Sequence, residues 1–197
     1  MPIDQRADYA TEDVLFYDDL NRWSINGSPQ WLAETSFASQ SVQLFQGVFD
    51  METTTDYSHF KIIIQRMTGS TTGTLRLKLA DDTTIPVIDY RFTRERVTYA
   101  GSRSTTLGVS GAGTAQFNLM QLDTSNESFG IIDVFNPNKA FRTQISAMLT
   151  EGTTTQGSVL VSGRNNNDDP YDGFELSASS GTITGRVTVY AWRDGSV

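Results

Sequence analysis

The sequence predicts an all-β protein, an antiparallel β-sandwich preceded by an irregular N-terminal arm over residues 1–40. Three observations lead there. From Ser41 onward, apolar residues recur at every second position, the period of a strand with one buried face. Clusters of Gly, Asn, Asp, Ser and Thr interrupt those runs about every ten residues, the spacing of turns in sandwiches and barrels. No stretch carries a helical stripe long enough for a crossover helix, so a parallel α/β sheet is excluded. A closed barrel shares these signals and stays open on the pattern alone. No repeat of about 20–50 residues recurs, which excludes a propeller or solenoid.

The elements follow in chain order. Residues 1–40 have no clean period. Asp13 to Leu20 suit a short helical turn, which Gly27-Ser28-Pro29 ends. Trp23 and Trp31 fall in this stretch, and large aromatics in an irregular segment pin it to the body or to another chain. In "SVQLFQGVFDM" from Ser41, Val42, Leu44 and Val48 are expected to point inward. "YSHFKIIIQRM" (57–67) puts Phe60, Ile62 and Ile64 on one face, and "GTLRLKLADD" (73–82) does the same with Leu75, Leu77 and Leu79. The polar "TGSTTG" between them reads as the turn of a hairpin or close sequential pair.

"VIDYRFTRERVTYAG" (87–101) supplies one or two strands, and "SRSTTLGVSGAGT" (102–114) reads as a loop. "AQFNLMQLD" (115–123) alternates through Phe117 and Leu119, and "FGIIDVFNPNK" (129–139) is a strand stopped by Asn-Pro-Asn. "FRTQISAMLTEG" (141–152) alternates Phe141, Thr143, Ile145, Ala147 and Leu149. A short strand then leads into the polar loop "RNNNDDPYDG" (164–173), followed by "FELSAS" and "TITGRVTVYAW". In that last run Ile183, Val187 and Val189 face inward, with Thr188 and Tyr190 opposite. Gly185 breaks the count and predicts a bulge. A strand this apolar is expected to be paired on both sides, because as a bare edge it would recruit other chains. The total is about eight to ten strands, in a body spanning 41–197.

Composition narrows the function. A hydrophobic share of 38% with 11% aromatics supports a packed core and argues against disorder. A net charge of −8 repels a polyanion, so no nucleic-acid partner is expected. With no Cys, disulfides, thiolate catalysis and Cys-ligated metals are excluded. Acids stand where a signal peptide needs a basic and then an apolar stretch, and no apolar run reaches the ~20 residues of a membrane span. No membrane association is expected. The acid is concentrated: Asp4, Asp8, Glu12, Asp13, Asp18 and Asp19 face only Arg6 and Arg22 over the first 22 residues. That segment suits docking on a basic surface as well as it suits a solvated arm.

No catalytic constellation emerges. His59 is the sole histidine and lies within a strand, where a solvent-facing or hydrogen-bonded role fits better than a Ser-His-Asp triad. One His without Cys cannot fill a structural zinc site. Asp81/Asp82, Asp168/Asp169/Asp172 and Glu175 are carboxylates of the kind glycosidases pair across a cleft, but as neighbours in turns they read first as turn formers. Loop 164–173 offers hard oxygen ligands without the spacing of a calcium loop. "GVSGAGT" lacks the Lys-Ser/Thr ending of a nucleotide loop. No cofactor is expected. Arg91, Arg94 and Arg96 gather in "RFTRER", with Arg94 and Arg96 on one face of a strand. They suit bidentate pairing with carboxylates at an interface, such as the acidic arm of an adjacent subunit. Tyr171 is expected to be exposed on its loop, ready to meet a neighbour or a saccharide.

The order of these motifs resembles a group of tailed-bacteriophage virion proteins with a jelly-roll-like β domain. The resemblance rests on "TTTDYSHFKIIIQRMTGSTTGTLRLKL", the following "DYRF", the Gly/Ser/Thr-rich stretch, "GIIDVFNPNKAFRTQISAML" and the closing "SSGTITGRVTVYAWRDG". It covers about residues 42–194. It departs from such proteins at Tyr190-Ala191-Trp192, where they end on Tyr-Gly, and residues 1–40 match nothing in the group. The resemblance implies a jelly-roll sandwich and a non-enzymatic virion component, assembled in the host cytoplasm. The expected role is a capsid decoration (cement) protein. It would bind the major capsid protein or another virion protein as a homotrimer or dimer, through Trp23, Trp31, Asp13, Asp18, Asp19, Arg91, Arg94, Arg96 and Tyr171. The alternative is a tail-fibre or receptor-binding protein contacting host saccharide through loops 102–114 and 164–173.

Overall fold

The computed structural model describes residues 29–49, 57–81, 90–108, 115–153 and 157–193. Among them are twelve strands and no helix. They are β1 (Pro29–Gln40), β2 (Val42–Phe45), β3 (Tyr57–Gly69), β4 (Gly73–Ala80), β5 (Tyr90–Val97) and β6 (Arg103–Gly108). The rest are β7 (Phe117–Leu122), β8 (Ser128–Phe135), β9 (Gln144–Thr150), β10 (Ser158–Asn165), β11 (Gly173–Ala178) and β12 (Ile183–Arg193). An eight-stranded sheet runs β1-β12-β3-β8-β9-β10-β5-β6, and a four-stranded sheet runs β2-β11-β4-β7. Every pairing is antiparallel. The two sheets form a β-sandwich.

The pairs nest. β1 meets β12, β2 meets β11, β3 meets β8 and β4 meets β7. Successive strands lie in opposite sheets except at β5 to β6, β8 to β9 and β9 to β10. The hairpin expected across 68–73 is therefore absent: β3 and β4 belong to opposite sheets, and residues 70–72 span the gap. A short polar turn reads the same whether it joins partners or crosses between layers.

The structure corrects four other expectations. Pro29–Gln40, expected within the irregular arm, is strand β1 and belongs to the body. In β2 the inward residue is Phe45, which stacks on Phe174 at 4.6 Å, while Val42 is exposed. Part of the expected loop 102–114 is strand β6, and Phe141 points to solvent. The expected helical turn at 13–20 lies outside the described residues. The closing strand does what its apolar pattern demands: β12 lies between β1 and β3.

The core fills the space between the sheets. Phe60, Ile62 and Ile64 of β3 meet Leu75, Leu77 and Leu79 of β4 in one buried cluster, with Val187 and Val189 of β12. At one end Phe49 packs edge-on against Phe60 at 4.9 Å and stacks on Phe174 at 5.6 Å. At the other, Tyr90 meets Phe117 edge-on at 4.5 Å. The buried Tyr90 hydroxyl accepts the Leu79 N–H at 2.8 Å. Burial of each such side chain contributes about 1.5–3 kcal/mol.

Alternation in β3 survives one break. Arg66 adopts a left-handed backbone, φ 54°, and inserts one extra residue against both neighbours, β8 and β12. The bulge restores Met67, not Arg66, to the core, while Arg66 pairs with Glu127 on the surface at 2.8 Å. Gly185 of β12 makes room for this. A Cβ there would come within 3.0 Å of the Met67 sulfur and 3.2 Å of its Cα. Gly185→Val should therefore overpack the bulge and lower unfolding free energy by about 1–3 kcal/mol in urea titrations. A neutral result would show that the Met67 packing does not constrain this site.

Candidate interaction surface

The eight-stranded sheet has one face against the core and one outward. Strand register sorts the outward side chains into rows that run across the strands. One row reads Glu95, Leu160, Met148, Ile131, Ile63, Thr188, Glu34, each opposite the next. Leu160 is 47% exposed, Met148 68% and Ile131 41%. Phe129, two residues before Ile131 on the same face, is 45% exposed. Four large apolar side chains on three adjacent strands thus stand in solvent together. Isolated exposed apolar residues are ordinary; a contiguous group is a candidate contact surface.

The next row reads Leu107, Thr93, Ser162, Ser146, Asp133, Lys61, Tyr190, Trp31. Asp133 accepts from Lys61 at 3.3 Å and lies 2.8 Å from His59 Nε2. The third row reads Arg91, Arg164, Gln144, Phe135, His59, Trp192, Pro29. Here the His59 ring is sandwiched between Phe135 at 4.6 Å and Trp192 at 5.1 Å, and Lys61 lies 5.2 Å over the Trp192 ring. His59 is thus a hydrogen-bonded strand residue inside an aromatic stack. The face is graded, with an apolar row at one end and a basic and aromatic row at the other.

The three arginines of β5 separate by parity. Arg94 and Arg96 do share a face, but it is the inner one. Their Nη2 atoms meet the same Glu151 oxygen at 2.8 and 3.0 Å, and the Gln121 N–H donates to it at 2.6 Å. Glu151 is fully buried, Arg94 is 11% exposed and Arg96 21%. Burial first, then the charge of Arg96, pulls Arg94 below an ordinary guanidinium pKa, and Glu151 opposes both. The expected docking of Arg94 and Arg96 on an outside acid is replaced by this internal bridge. It links the β9–β10 connection, β5 of the large sheet and β7 of the small one. Glu151 lies 55 and 57 residues from its partners in the chain, a distance at which no local spacing betrays it. Only Arg91 faces outward, directly opposite Arg164.

Tyr171 is also corrected. It is 2% exposed, its hydroxyl accepts from the Asn165 amide, and its N–H donates to Pro137 O at 2.6 Å. Burial pushes its phenol pKa up. Asn165 is itself fully buried and donates its N–H to Thr143 O at 2.8 Å, so the loop after β10 is anchored to the β8–β9 connection. Among the candidate carboxylates, Glu175 is buried 3.9 Å from Lys78, and exposed Asp168 lies 3.5 Å from Arg142. Among the described residues, no three His, Cys, Asp or Glu side chains gather as a metal site. Trp31, 42% exposed on β1, does lie on the outward face. Asp13, Asp18, Asp19, Trp23 and Asp82 fall outside the described residues.

No known protein family, curated protein or solved structure matches the chain.

Removing the shared carboxylate leaves two guanidinium groups facing each other in a nearly dry site. Glu151→Ala is expected to cost about 3–5 kcal/mol of stability. Arg94→Met added to Glu151→Ala should recover part of that loss, measured as a non-additive cycle in denaturant titrations. Additive costs would mean the three side chains are not coupled.

Proposed function

We propose that this chain is a non-enzymatic virion structural protein of a tailed bacteriophage, a jelly-roll decoration protein that binds and stabilises the head shell as an oligomer. The nested pairing of β1·β12, β2·β11, β3·β8 and β4·β7 supports the jelly-roll reading. In it, β5, β6, β9 and β10 extend one sheet beyond the wrapped pairs. The observation that carries the function is the apolar row of Leu160, Met148, Ile131 and Ile63 with Phe129 beside it. A rigid sheet presents that row without the ordering cost of a loop. Multiplied over a repeating shell, such modest contacts add through effective concentration. The motif order quoted above supplies the phage context.

The tail-fibre alternative draws less support. It relied on loops 102–114 and 164–173; residues 103–108 of the first are strand β6, and Tyr171 of the second is buried.

The test uses purified head shells that lack this protein. Ile131→Lys and Met148→Glu sit at the centre of the row, where truncations in other interfaces cost upward of about 2 kcal/mol. Together they should weaken shell binding at least ~30-fold while the melting temperature stays near wild type. Undiminished shell binding, or binding to host saccharide that these changes leave intact, would sink the proposal.

A further inference from the structure

Met148 stands apart from its neighbours in the apolar row. Ile131 on β8 and Leu160 on β10 lie directly opposite it on either side, and Ile63 continues the row on β3. Met148 is more exposed than any of them, at 68% against 47% for Leu160 and 41% for Ile131. Apolar area alone does not call for a thioether here, since Leu and Met exchange at little cost even in packed sites. What sets Met apart is chemistry: its sulfur takes up an oxygen atom from a peroxide and becomes a polar, chiral sulfoxide.

Two other methionines supply the contrast. Met67, beside the bulge of β3, and Met120 of β7 are fully buried. Access of the oxidant to the sulfur sets how fast it reacts. On the outward face of β9, the neighbours of Met148 are Ser146 and Thr150, both exposed and too short to shield the sulfur. The thioether therefore meets solvent at the centre of the row, where a partner's apolar surface would press hardest.

We propose that Met148 is an oxidation site that switches the adhesion of this face, on as the thioether and off as the sulfoxide. The inference rests on the reading of the apolar row as the shell-binding surface. The oxidant is hydrogen peroxide. The sulfur lone pair attacks one peroxide oxygen, the O–O bond breaks and an S–O bond forms. The other oxygen leaves as water with both protons, so sulfur loses two electrons and the peroxide gains them. The sulfoxide oxygen is a hydrogen-bond acceptor set among Ile131, Leu160 and Ile63, whose side chains carry no donor. Covering it with an apolar partner strips its water and returns nothing, which opposes the contact. Sulfoxide reductases, one for each epimer, reverse the change.

The test treats the full-length protein with dilute hydrogen peroxide. Peptide mass spectrometry should show Met148 gaining oxygen at least ~tenfold faster than Met67 or Met120. Retention on a phenyl column, a reading that needs no shell, should fall as Met148 oxidises. The two reductases with dithiothreitol should restore it. Binding to head shells that lack the protein should weaken at least ~tenfold on oxidation. In Met148→Leu, whatever its starting affinity, the same peroxide dose should change retention and shell binding less than ~twofold. Untreated protein that ignores shells would sink the shell-binding reading, and the column and mass spectra would then decide the inference alone. Oxidation of the buried methionines at the same rate would overturn it. So would unchanged retention after Met148 is oxidised, or an equal loss in Met148→Leu.

Discussion

Eight strands lie over four. That inequality governs the molecule more than any single contact, because a sheet twice as wide as its partner cannot bury all of its inner face in apolar packing. β12, β3 and β8 carry inward Ile and Val residues that meet the Leu residues of β4. β7, the edge of the small sheet, packs against β5, with Phe117 edge-on to Tyr90 and Phe92. There the inward residues change character. Phe92 is the last buried apolar side chain on β5, and Arg94 and Arg96 follow. They are drawn together by one carboxylate, with a backbone N–H of β7 completing the oxygen's shell. Inward charge near a sheet end is also a known device against edge-to-edge association. Here it serves as well to tie β5 of the large sheet to β7, the edge strand of the small one.

The same inequality explains why some of the fold was legible in the sequence and some was not. The side chains under full cover obey the period: Phe60, Ile62 and Ile64, Leu75, Leu77 and Leu79, Ile183, Val187 and Val189 are all buried where alternation puts them. Gly185 predicted a bulge in β12, but β12 keeps its alternation there; the extra residue is in β3, and the glycine is needed opposite it to clear the Met67 side chain. Alternation fixes parity, however, and not which parity faces in. β2 is four residues long, too short for the period to choose between Leu44 and Phe45. In β5 parity correctly separated Arg91 from Arg94 and Arg96, but it could not say that the pair turns inward. The answer depended on Glu151, a residue more than fifty positions away that no local pattern marks. Tyr171 misled for the opposite reason: its neighbours Asp168, Asp169 and Pro170 are exposed, while its own hydroxyl accepts from a buried Asn165.

Two edges border the large sheet, and they differ. β6 is short, with its described side chains exposed. β1 is twelve residues long, a length that invites another strand. It is interrupted twice in its register with β12, between Trp31 and Ala33 and between Phe37 and Gln40. Glu34 on the same strand pairs with Arg186 of β12. Irregularity and charge blunt the edge, so an added strand finds no long straight ladder to extend. Association is thereby steered away from backbone pairing and toward the face, where side chains decide the partner.

A sheet face is a better discriminator than an edge, because an edge offers the same amide groups to any chain while a face offers a fixed pattern. Here the pattern is polarised along the strands. The row of Leu160, Met148 and Ile131 gains from any apolar cover, but it is flanked by Glu95 and Glu34 at its ends and by Asp133 and Lys61 alongside. A partner that slid or rotated from its proper seat would strand those charges against apolar surface, at a cost of several kcal/mol for a buried charge left unpaired. Apolar contact therefore supplies adhesion without direction, and the charged border supplies the direction. That division is what the proposed binding to a repeating shell would require, since there the correct seat differs from its neighbours only by small displacements.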